Sequence, residues 1–143
     1  MLYGSYLAGV SLAIANVGVI HSLAQTIGGL YKVSHGVVNA LLLPHGMDYN
    51  RISCRKKYSK IAELLGISTA GLSLDEASKL AVDTVKKLTE EIDINHSLRQ
   101  YGVEENDIDH IAELCLKSQA RLLAFNPRQV DKDGLVQILC NAL

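Results

Sequence analysis

Apolar residues recur at helical spacing along most of the 143-residue chain, and no segment shows the sustained two-residue alternation of a half-buried strand. This pattern predicts helices over residues 2–15, 17–27, 35–49, 54–65, 73–92, 95–101, 106–123 and 131–143. Six to eight helices without a convincing strand predict an all-α fold, organised as a single bundle-like domain over residues 1–143.

Start and stop signals mark many of the predicted helix ends. Asn16 is predicted to separate the first two helices and to cap the second. Gly28-Gly29 is predicted to stop the second helix, and Pro44 to kink the third. Further predicted caps and stops are Ser34, Gly66, the capping box of Ser73 with Glu76, Asn95, Gly102, and Asp131 or Lys132.

Charge is distributed very unevenly along the chain. Up to Met47 the only charged residue is Lys32, and all the others lie in residues 48–143. Because a surface helix normally carries a polar stripe, the first two helices are predicted to lie at the centre of the domain or against a partner. Small and polar residues recur within residues 1–31, which favours helices buried in a larger protein over a membrane span.

Composition narrows the classes of protein. The formal net charge is −1, so no basic face for nucleic acid is expected. Cys54, Cys115 and Cys140 are an odd set without C-x-x-C spacing, which points away from a disulfide scaffold and toward a reducing, cytoplasmic location. The N-terminus lacks the basic stretch of a signal peptide, so no secretory leader is expected.

His21 and His35 are candidate metal ligands. One lies in an apolar helix and the other at the start of the next helix, and neutral imidazole binds iron, zinc, copper or nickel. The alternative is a pair of hydrogen-bonded core histidines, and spacing alone leaves both interpretations open. Two histidines are too few for a catalytic metal. Residues 1–47 contain no Asp or Glu, so further ligands must come from later in the chain or from another polypeptide. The histidines without a predicted ligand role are His45, which is expected to be structural, and His96 and His110, which are expected at the surface.

The segment HSLAQTIGGLYKVSHGVVNALLLPHGMDYN resembles the histidine signature of the iron-dependent (group III) alcohol dehydrogenases. In that signature a second histidine follows the first after a short helix and a Gly-Gly turn. The preceding segment MLYGSYLAGVSLAIANVGVIH and the later segments LRQYGVEENDIDHIAELCL and NPR are similar to the same family. The resemblance covers essentially the whole chain.

The resemblance implies the C-terminal, all-helical, metal-binding domain of a dehydroquinate-synthase-like two-domain enzyme, without its N-terminal nucleotide-binding domain. In the family a divalent metal, usually iron (Fe²⁺) and sometimes zinc (Zn²⁺), is held by an aspartate and a histidine from earlier in the chain and by two signature histidines. Those two correspond to His21 and His35. The missing domain binds NAD(P), and small alcohols or aldehydes are the expected substrates. Leu12 and Leu122–Phe125 are expected to line the substrate pocket.

One position departs from the family pattern. Many members carry a further histidine four residues after the first signature ligand, near the nicotinamide, where it helps to relay protons. Here that catalytic position is Gln25. A glutamine amide forms hydrogen bonds but does not titrate, so Gln25 is expected to order water rather than to act as a general base.

Three functional hypotheses remain open from the sequence. The first is a domain of a metal- and NAD(P)-dependent alcohol dehydrogenase, inactive when isolated because its cofactor site and two ligands lie elsewhere. The second is a non-catalytic helical interaction module left by gene truncation, with a homo-oligomer formed through the uncharged segment. The third is one half of a split dehydrogenase, whose nucleotide-binding domain is a second polypeptide.

Overall fold

Seven α-helices make up the fold in a computed structural model that describes residues 1–94 and 97–143. The helices are α1 Leu2–Ala15, α2 Val19–Tyr31, α3 His35–Leu64, α4 Leu74–Glu91, α5 Ile108–Ser118, α6 Ala120–Leu123 and α7 Lys132–Ala142. Two 3-10 turns cover Leu98–Tyr101 and Glu105–Asp107. No β-strand occurs in the described residues, and the all-α prediction is confirmed.

The hydrophobic core lies between α2, the first half of α3, α5 and α7. Each of these helices contributes fully buried aliphatic side chains, and the 3-10 turn before Gly102 adds Leu98. Removal of this apolar surface from water is the main force that holds the four helices together. The largest fully buried side chains are Val19, Leu23, Ile27, Val38, Leu42, Leu98, Val103, Ile111, Cys115, Leu135, Ile138 and Leu139.

The long helix α4 packs along α3 through small residues. Ala77 and Ala81 are almost fully buried, so the two helix backbones approach closely. At the start of α4, Asp75 accepts hydrogen bonds from Arg51 and Arg55 of α3, each at 2.8 Å. The α3–α4 pair therefore forms a second layer that is fixed to the core through α3.

Helix α1 stands apart from the other helices. None of its residues is buried, and the chain turns by 95° between α1 and α2. Asn16 ends α1 with a positive φ of 63°. Within residues 1–94 and 97–143, no single helix is long and apolar enough to cross a membrane; α1 and α2 meet that test of length and composition only as a bent pair.

The predicted end of α2 at Gly28-Gly29 is wrong, because the helix continues through both glycines to Tyr31. Lys32 caps the C-terminus of the helix in the left-handed conformation, with φ 55°. Gly28 instead allows a close approach of the following loop: a Cβ at that position would lie 3.2 Å from the Val33 carbonyl oxygen. The loop of residues 32–34 therefore folds back along α2.

Helix α3 consists of two helical stretches joined at a kink, as the sequence predicted, but the break is a single residue and not the segment 50–53. The kink falls at Cys54, whose φ of −127° and ψ of 19° are not helical. The predicted kink at Pro44 is wrong. Pro44 is buried beside α4, and its backbone dihedral angles stay helical in spite of the missing N–H donor.

Several predicted helix ends agree with the structure. Ser73 and Glu76 form the expected capping box, and Asp131 caps α7 by accepting a hydrogen bond from the Gly134 N–H at 2.8 Å. Ser34 occupies the N-cap position of α3, but no capping hydrogen bond of its side chain is present. The predicted cap at Asn95 lies outside the described residues, as does His96.

Candidate metal centre

The two candidate histidines occupy neighbouring elements of the bundle. His21 lies in the first turn of α2 and is half-buried, whereas His35 is the first residue of α3 and is exposed. Ten residues of helix separate His21 from the end of α2 at Tyr31, a rise of about 15 Å. The fold-back of the loop past Gly28 brings the chain toward His21 again.

The imidazole rings of His21 and His35 converge. Their centroids are 5.5 Å apart, and the ring planes meet edge to face at 62°. A zinc or iron ion lies about 2.1 Å from an imidazole nitrogen, so two rings on one tetrahedral ion have their centres roughly 5 Å apart. The spacing of this pair therefore fits shared coordination of one divalent ion.

The electrostatic environment of His21 favours its neutral imidazole. Burial, followed by the proximity of His35, lowers the pKa of His21 below its usual value. Neutral imidazole has a lone pair for a metal, and imidazolium has none. No hydrogen bond from another described residue reaches either ring, in contrast to a pair of histidines satisfied inside a core.

The described part of the chain does not complete a metal shell. It contains no group of three His, Cys, Asp or Glu side chains placed to hold one ion. A catalytic zinc or iron site needs at least three protein ligands, so His21 and His35 fit a divalent metal as part of a shell only. Their role as ligands stays a prediction.

Gln25 lies on α2 one helical turn after His21, as expected from the spacing of four residues. Its side chain is exposed to solvent. An amide in this position can hydrogen-bond to water beside the histidine pair. The catalytic role considered for Gln25 stays a prediction.

The other described histidines and the cysteines have different surroundings, and of these residues Cys54 lines the same cleft as His21. His45 is half-buried beside Lys86 of α4, and burial, then Lys86, lowers its pKa. His110 is exposed on α5. All three cysteines are free, and burial raises the pKa of the Cys115 thiol to about 11, which keeps it protonated and unreactive.

A cleft of about 390 Å³ opens beside His21 where α1 turns into α2. Phe125, which is 49% exposed, forms one wall. Tyr58 and Lys57 of α3 lie opposite, and burial raises the pKa of Tyr58 to about 12. Of the residues expected around a substrate, Phe125 lines this cleft, whereas Leu12 is not part of its wall.

Asn126 links the start of α2 to α3 at the cleft through hydrogen bonds of its side chain. The sequence pattern did not identify this residue as part of the site. Its Oδ1 accepts hydrogen bonds from the Val19 N–H and from Nδ2 of Asn50, each at 3.1 Å. Its Nδ2 donates to Asn50 Oδ1 at 2.6 Å and to the Arg128 carbonyl at 2.7 Å. This side chain thus caps α2 from 107 residues away, two residues before His21.

Gly18 makes the Asn126 contact sterically allowed. A Cβ at position 18 would lie 2.5 Å from Asn126 Oδ1, which is well inside van der Waals contact. Arg128 reinforces the same junction, because it donates to the Tyr49 carbonyl at 2.9 Å and stacks 3.9 Å above the Tyr49 ring. The short N-P-R sequence is therefore a structural clamp beside the histidine pair.

Together the fold and the site define an all-helical domain with a histidine pair at one end of its bundle. The family described as Fe-containing alcohol dehydrogenase, C-terminal, matches residues 1–143. The chain belongs to this family, and the resemblance seen in the histidine signature is confirmed.

Curated relatives are much longer than the chain. It is 41% identical to 1,3-propanediol dehydrogenase from Citrobacter freundii over 143 residues, which cover 99% of the chain and 36% of that protein. It is 36% identical to lactaldehyde reductase from Escherichia coli K12, with 96% and 36% covered. The chain thus spans about 36% of the length of these relatives.

Solved structures share the same helical arrangement. An alcohol dehydrogenase from Oenococcus oeni superposes with a TM-score of 0.88 at 36% identity, over 96% of this chain and 35% of that one. A crystal structure of 1,3-propanediol oxidoreductase gives 0.84 at 38% identity, over 90% and 33%. In both, the matching region is about a third of the whole chain.

Proposed function

We propose that the chain is the C-terminal domain of a metal- and NAD(P)-dependent alcohol dehydrogenase, in which His21 and His35 supply two of the metal ligands. The observation that supports this proposal is the convergence of two imidazole rings, 5.5 Å between centroids, next to an open cleft. Fe²⁺ is the preferred ion because the family is described as Fe-containing, and Zn²⁺ is the alternative.

The two domains supply different parts of the proposed reaction. A divalent ion at this site acts as a Lewis acid toward an alcohol or carbonyl oxygen, and NAD(P) in the N-terminal domain exchanges hydride. His21 and His35 bind the ion, Phe125 gives the cleft an apolar wall, and Gln25 orders water. Small alcohols or diols and the corresponding aldehydes are the proposed substrates, as the names of the relatives indicate.

A chimera provides the direct test. In it, the part of the C. freundii 1,3-propanediol dehydrogenase that precedes the matched region is joined to Met1. We expect metal-dependent, NAD(P)-linked oxidation of 1,3-propanediol, and we expect His21→Ala or His35→Ala to weaken metal binding by about tenfold or more, which corresponds to 1.4 kcal/mol.

His110→Ala is the matched control, because this histidine is exposed and lies on α5 and not on either of the helices that carry the pair. Its metal affinity, measured by calorimetric titration, should equal that of the unsubstituted chimera. Equal metal affinity in the His21→Ala and His35→Ala chimeras would contradict the proposal.

The isolated chain should bind metal weakly and show no dehydrogenase activity, since an incomplete shell loses much of the binding free energy. Tight binding of one Zn²⁺ per monomeric chain would overturn this expectation.

Three free cysteines support a reducing, cytoplasmic location as part of the same proposal.

The exposure of α1 also bears on the other two hypotheses. A helix without a buried residue favours a chain that works with a partner, which a split dehydrogenase provides through a second polypeptide. A non-catalytic module instead requires self-association. Light scattering distinguishes the two: a monomeric chain that gains activity when the N-terminal part is added supports a split enzyme, and a stable homo-oligomer without that gain supports the module.

A further inference from the structure

The first turn of α2, which carries His21, has no cap of its own. The amide groups that open a helix have no partner within it, and the side chain of the N-cap residue usually accepts a hydrogen bond from one of them. Here the N-cap residue is Gly18, which has no side chain to do so. Without a cap from elsewhere, the turn that holds His21 would be free to fray.

Asn126 supplies this cap from another part of the chain. Its Oδ1 accepts a hydrogen bond from the Val19 N–H at 3.1 Å. On the other side of His21, the N–H and the Oγ of Ser22 both donate to the Gly18 carbonyl, at 3.1 Å and 3.0 Å. The backbone is therefore held by hydrogen bonds both before and after His21.

The side chain of Asn126 also ties this turn to α3, the helix that begins with His35. Its Nδ2 donates to Asn50 Oδ1 at 2.6 Å, and Asn50 Nδ2 donates back to Asn126 Oδ1 at 3.1 Å. Asn50 is only 6% exposed, so water competes little for these hydrogen bonds. A buried pair of amides thus fixes the start of α2 to the helix that carries the second histidine.

Close packing leaves this junction little freedom to move. A Cβ at Gly46 of α3 would overlap the side chain of Ile20, and one at Gly18 would lie 2.5 Å from Asn126 Oδ1. Both glycines therefore permit an approach that a larger residue would block. Because Ile20 directly precedes His21, the backbone of this histidine is held against α3 by packing as well as by hydrogen bonds.

A shared metal ion requires the two imidazoles to be placed accurately. Metal–imidazole bonds are about 2.1 Å long, and a binding geometry must be held to within about 0.5 Å. The centroids of the His21 and His35 rings are 5.5 Å apart. Within the described residues no hydrogen bond orients either ring, so the backbone beside each histidine has to supply this accuracy.

We propose that Asn126 is a positioning residue for His21: its hydrogen bonds to Val19 and Asn50 hold the first turn of α2 where the two imidazoles share one divalent ion. The inference rests on the proposed function for the role of the pair as metal ligands. Asn126 acts through the backbone at Val19, two residues before His21, and not as a ligand.

A double-mutant cycle in the chain itself separates positioning from general stability. The probe is Ni²⁺, which imidazole binds well, and calorimetric titration measures its affinity. We expect Asn126→Ala to weaken Ni²⁺ binding by about tenfold, as loss of a group that orients a metal ligand does. In a chain that already carries His21→Ala, Asn126→Ala should cause no further loss, because there is then no second imidazole to position.

Gly18→Ala breaks the same contact from the other side. Its Cβ would collide with Asn126 Oδ1, so it should weaken Ni²⁺ binding in the same His21-dependent way, and it provides a second test if Asn126→Ala does not fold. Ala81→Gly is the control. Ala81 is buried in α4, and glycine lowers the stability of a helix, so this variant should lose stability but keep its Ni²⁺ affinity.

Three results would overturn the inference. Equal losses of Ni²⁺ affinity with and without His21 would indicate a general effect on the fold. An unchanged affinity in both Asn126→Ala and Gly18→Ala, or in His21→Ala alone, would mean that the position of this imidazole is not fixed for metal binding. A comparable loss in Ala81→Gly would mean that stability, and not position, sets the affinity.

The cycle is independent of catalysis, so its failure is distinguishable from failure of the proposed function. A chimera whose metal affinity depends on His21, beside a chain without coupling between His21 and Asn126, leaves the proposed function standing and removes the inference. Coupling in the chain, beside a chimera without metal-dependent oxidation, does the reverse.

Discussion

Gln25 is the residue at which the chain departs most clearly from its family signature. It is exposed one helical turn after His21, where a titratable imidazole is the common family residue. We expect Gln25→His in the chimera to raise the rate of alcohol oxidation above pH 7, since a neutral imidazole can accept a proton and an amide cannot. The measurement is the pH profile of kcat from pH 5 to 9.

Gln25→Asn serves as the matched control because it keeps the amide. Its pH profile should have the shape of that of the unsubstituted chimera. If Gln25→His also leaves the shape unchanged, the position has no access to the proton that is transferred.

The two adjacent glycines of α2 have different surroundings. A Cβ at Gly28 would crowd the Val33 carbonyl at 3.2 Å, whereas one at Gly29 would meet nothing within 4 Å. Gly29→Ala should therefore stabilise the chain by about 1 kcal/mol through helix propensity. Gly28→Ala should gain less and should also weaken metal binding in the chimera, because the loop that leads to His35 must shift. Urea unfolding and metal titration measure the two effects; equal behaviour of both variants would contradict this account.

The hydrogen bonds of Asn126 at the start of α2 make a contribution to the free energy of unfolding that can be measured. Asn126→Ala removes hydrogen bonds to Val19, Asn50 and Arg128 and leaves buried polar groups without partners. We expect a loss of about 3 kcal/mol in the free energy of unfolding. The exposed Asn141→Ala on α7 is the control and should change stability by less than about 0.5 kcal/mol. A small loss for Asn126→Ala would mean that water replaces the clamp.

The sequence predicted elements whose signals are local. The capping box of Ser73 with Glu76 is confirmed because both partners lie within one helical turn. The helix stop at Gly28 and the kink at Pro44 were mispredicted. Both residues lie against distant or following segments, Gly28 against the Val33 carbonyl and Pro44 beside α4, and a local pattern does not include such contacts. The clamp was missed for the same reason, since the side chain that caps Gly18–Val19 lies 107 residues away.

For the candidate site, the sequence identified the two histidines but not the residues that fix the backbone next to His21. His21 and His35 were found from an apolar segment and a family signature, and the structure adds a ring separation of 5.5 Å. The roles of Gly18 and Asn126 beside His21 depend on contacts between distant segments. No local pattern in a single sequence encodes such contacts.

At the scale of the whole molecule, two half-buried histidines couple folding to pH. Burial, then Lys86, lowers the pKa of His45 in the folded state, opposed by Asp48, and burial with His35 lowers that of His21. The unfolded chain therefore binds protons more readily than the folded chain does. The contribution of these two histidines to the free energy of unfolding is full above the unfolded pKa of about 6.5 and is lost as pH falls. Urea midpoints should decline from pH 8 to pH 5.

Two histidine variants show which group causes the decline of the urea midpoint with falling pH. His45→Gln should make the decline shallower because it removes a group that must stay neutral in the fold. His110→Gln should leave it unchanged, since that histidine is exposed on α5. A decline of the same steepness in the His45→Gln variant would assign the pH dependence to other groups.

The right-angled turn between α1 and α2 has a mechanical consequence. Residues 16–18 form the turn between α1, which is about 21 Å long, and α2. The first residue of α2, Val19, donates its N–H to Asn126 Oδ1. His21 lies two residues beyond that anchor, so any swing of α1 is resisted at the point where the imidazole is aimed. Contacts that fix α1 therefore act close to the start of α2, and we expect the Asn126 hydrogen bond to limit how far a movement of α1 changes the orientation of the His21 ring.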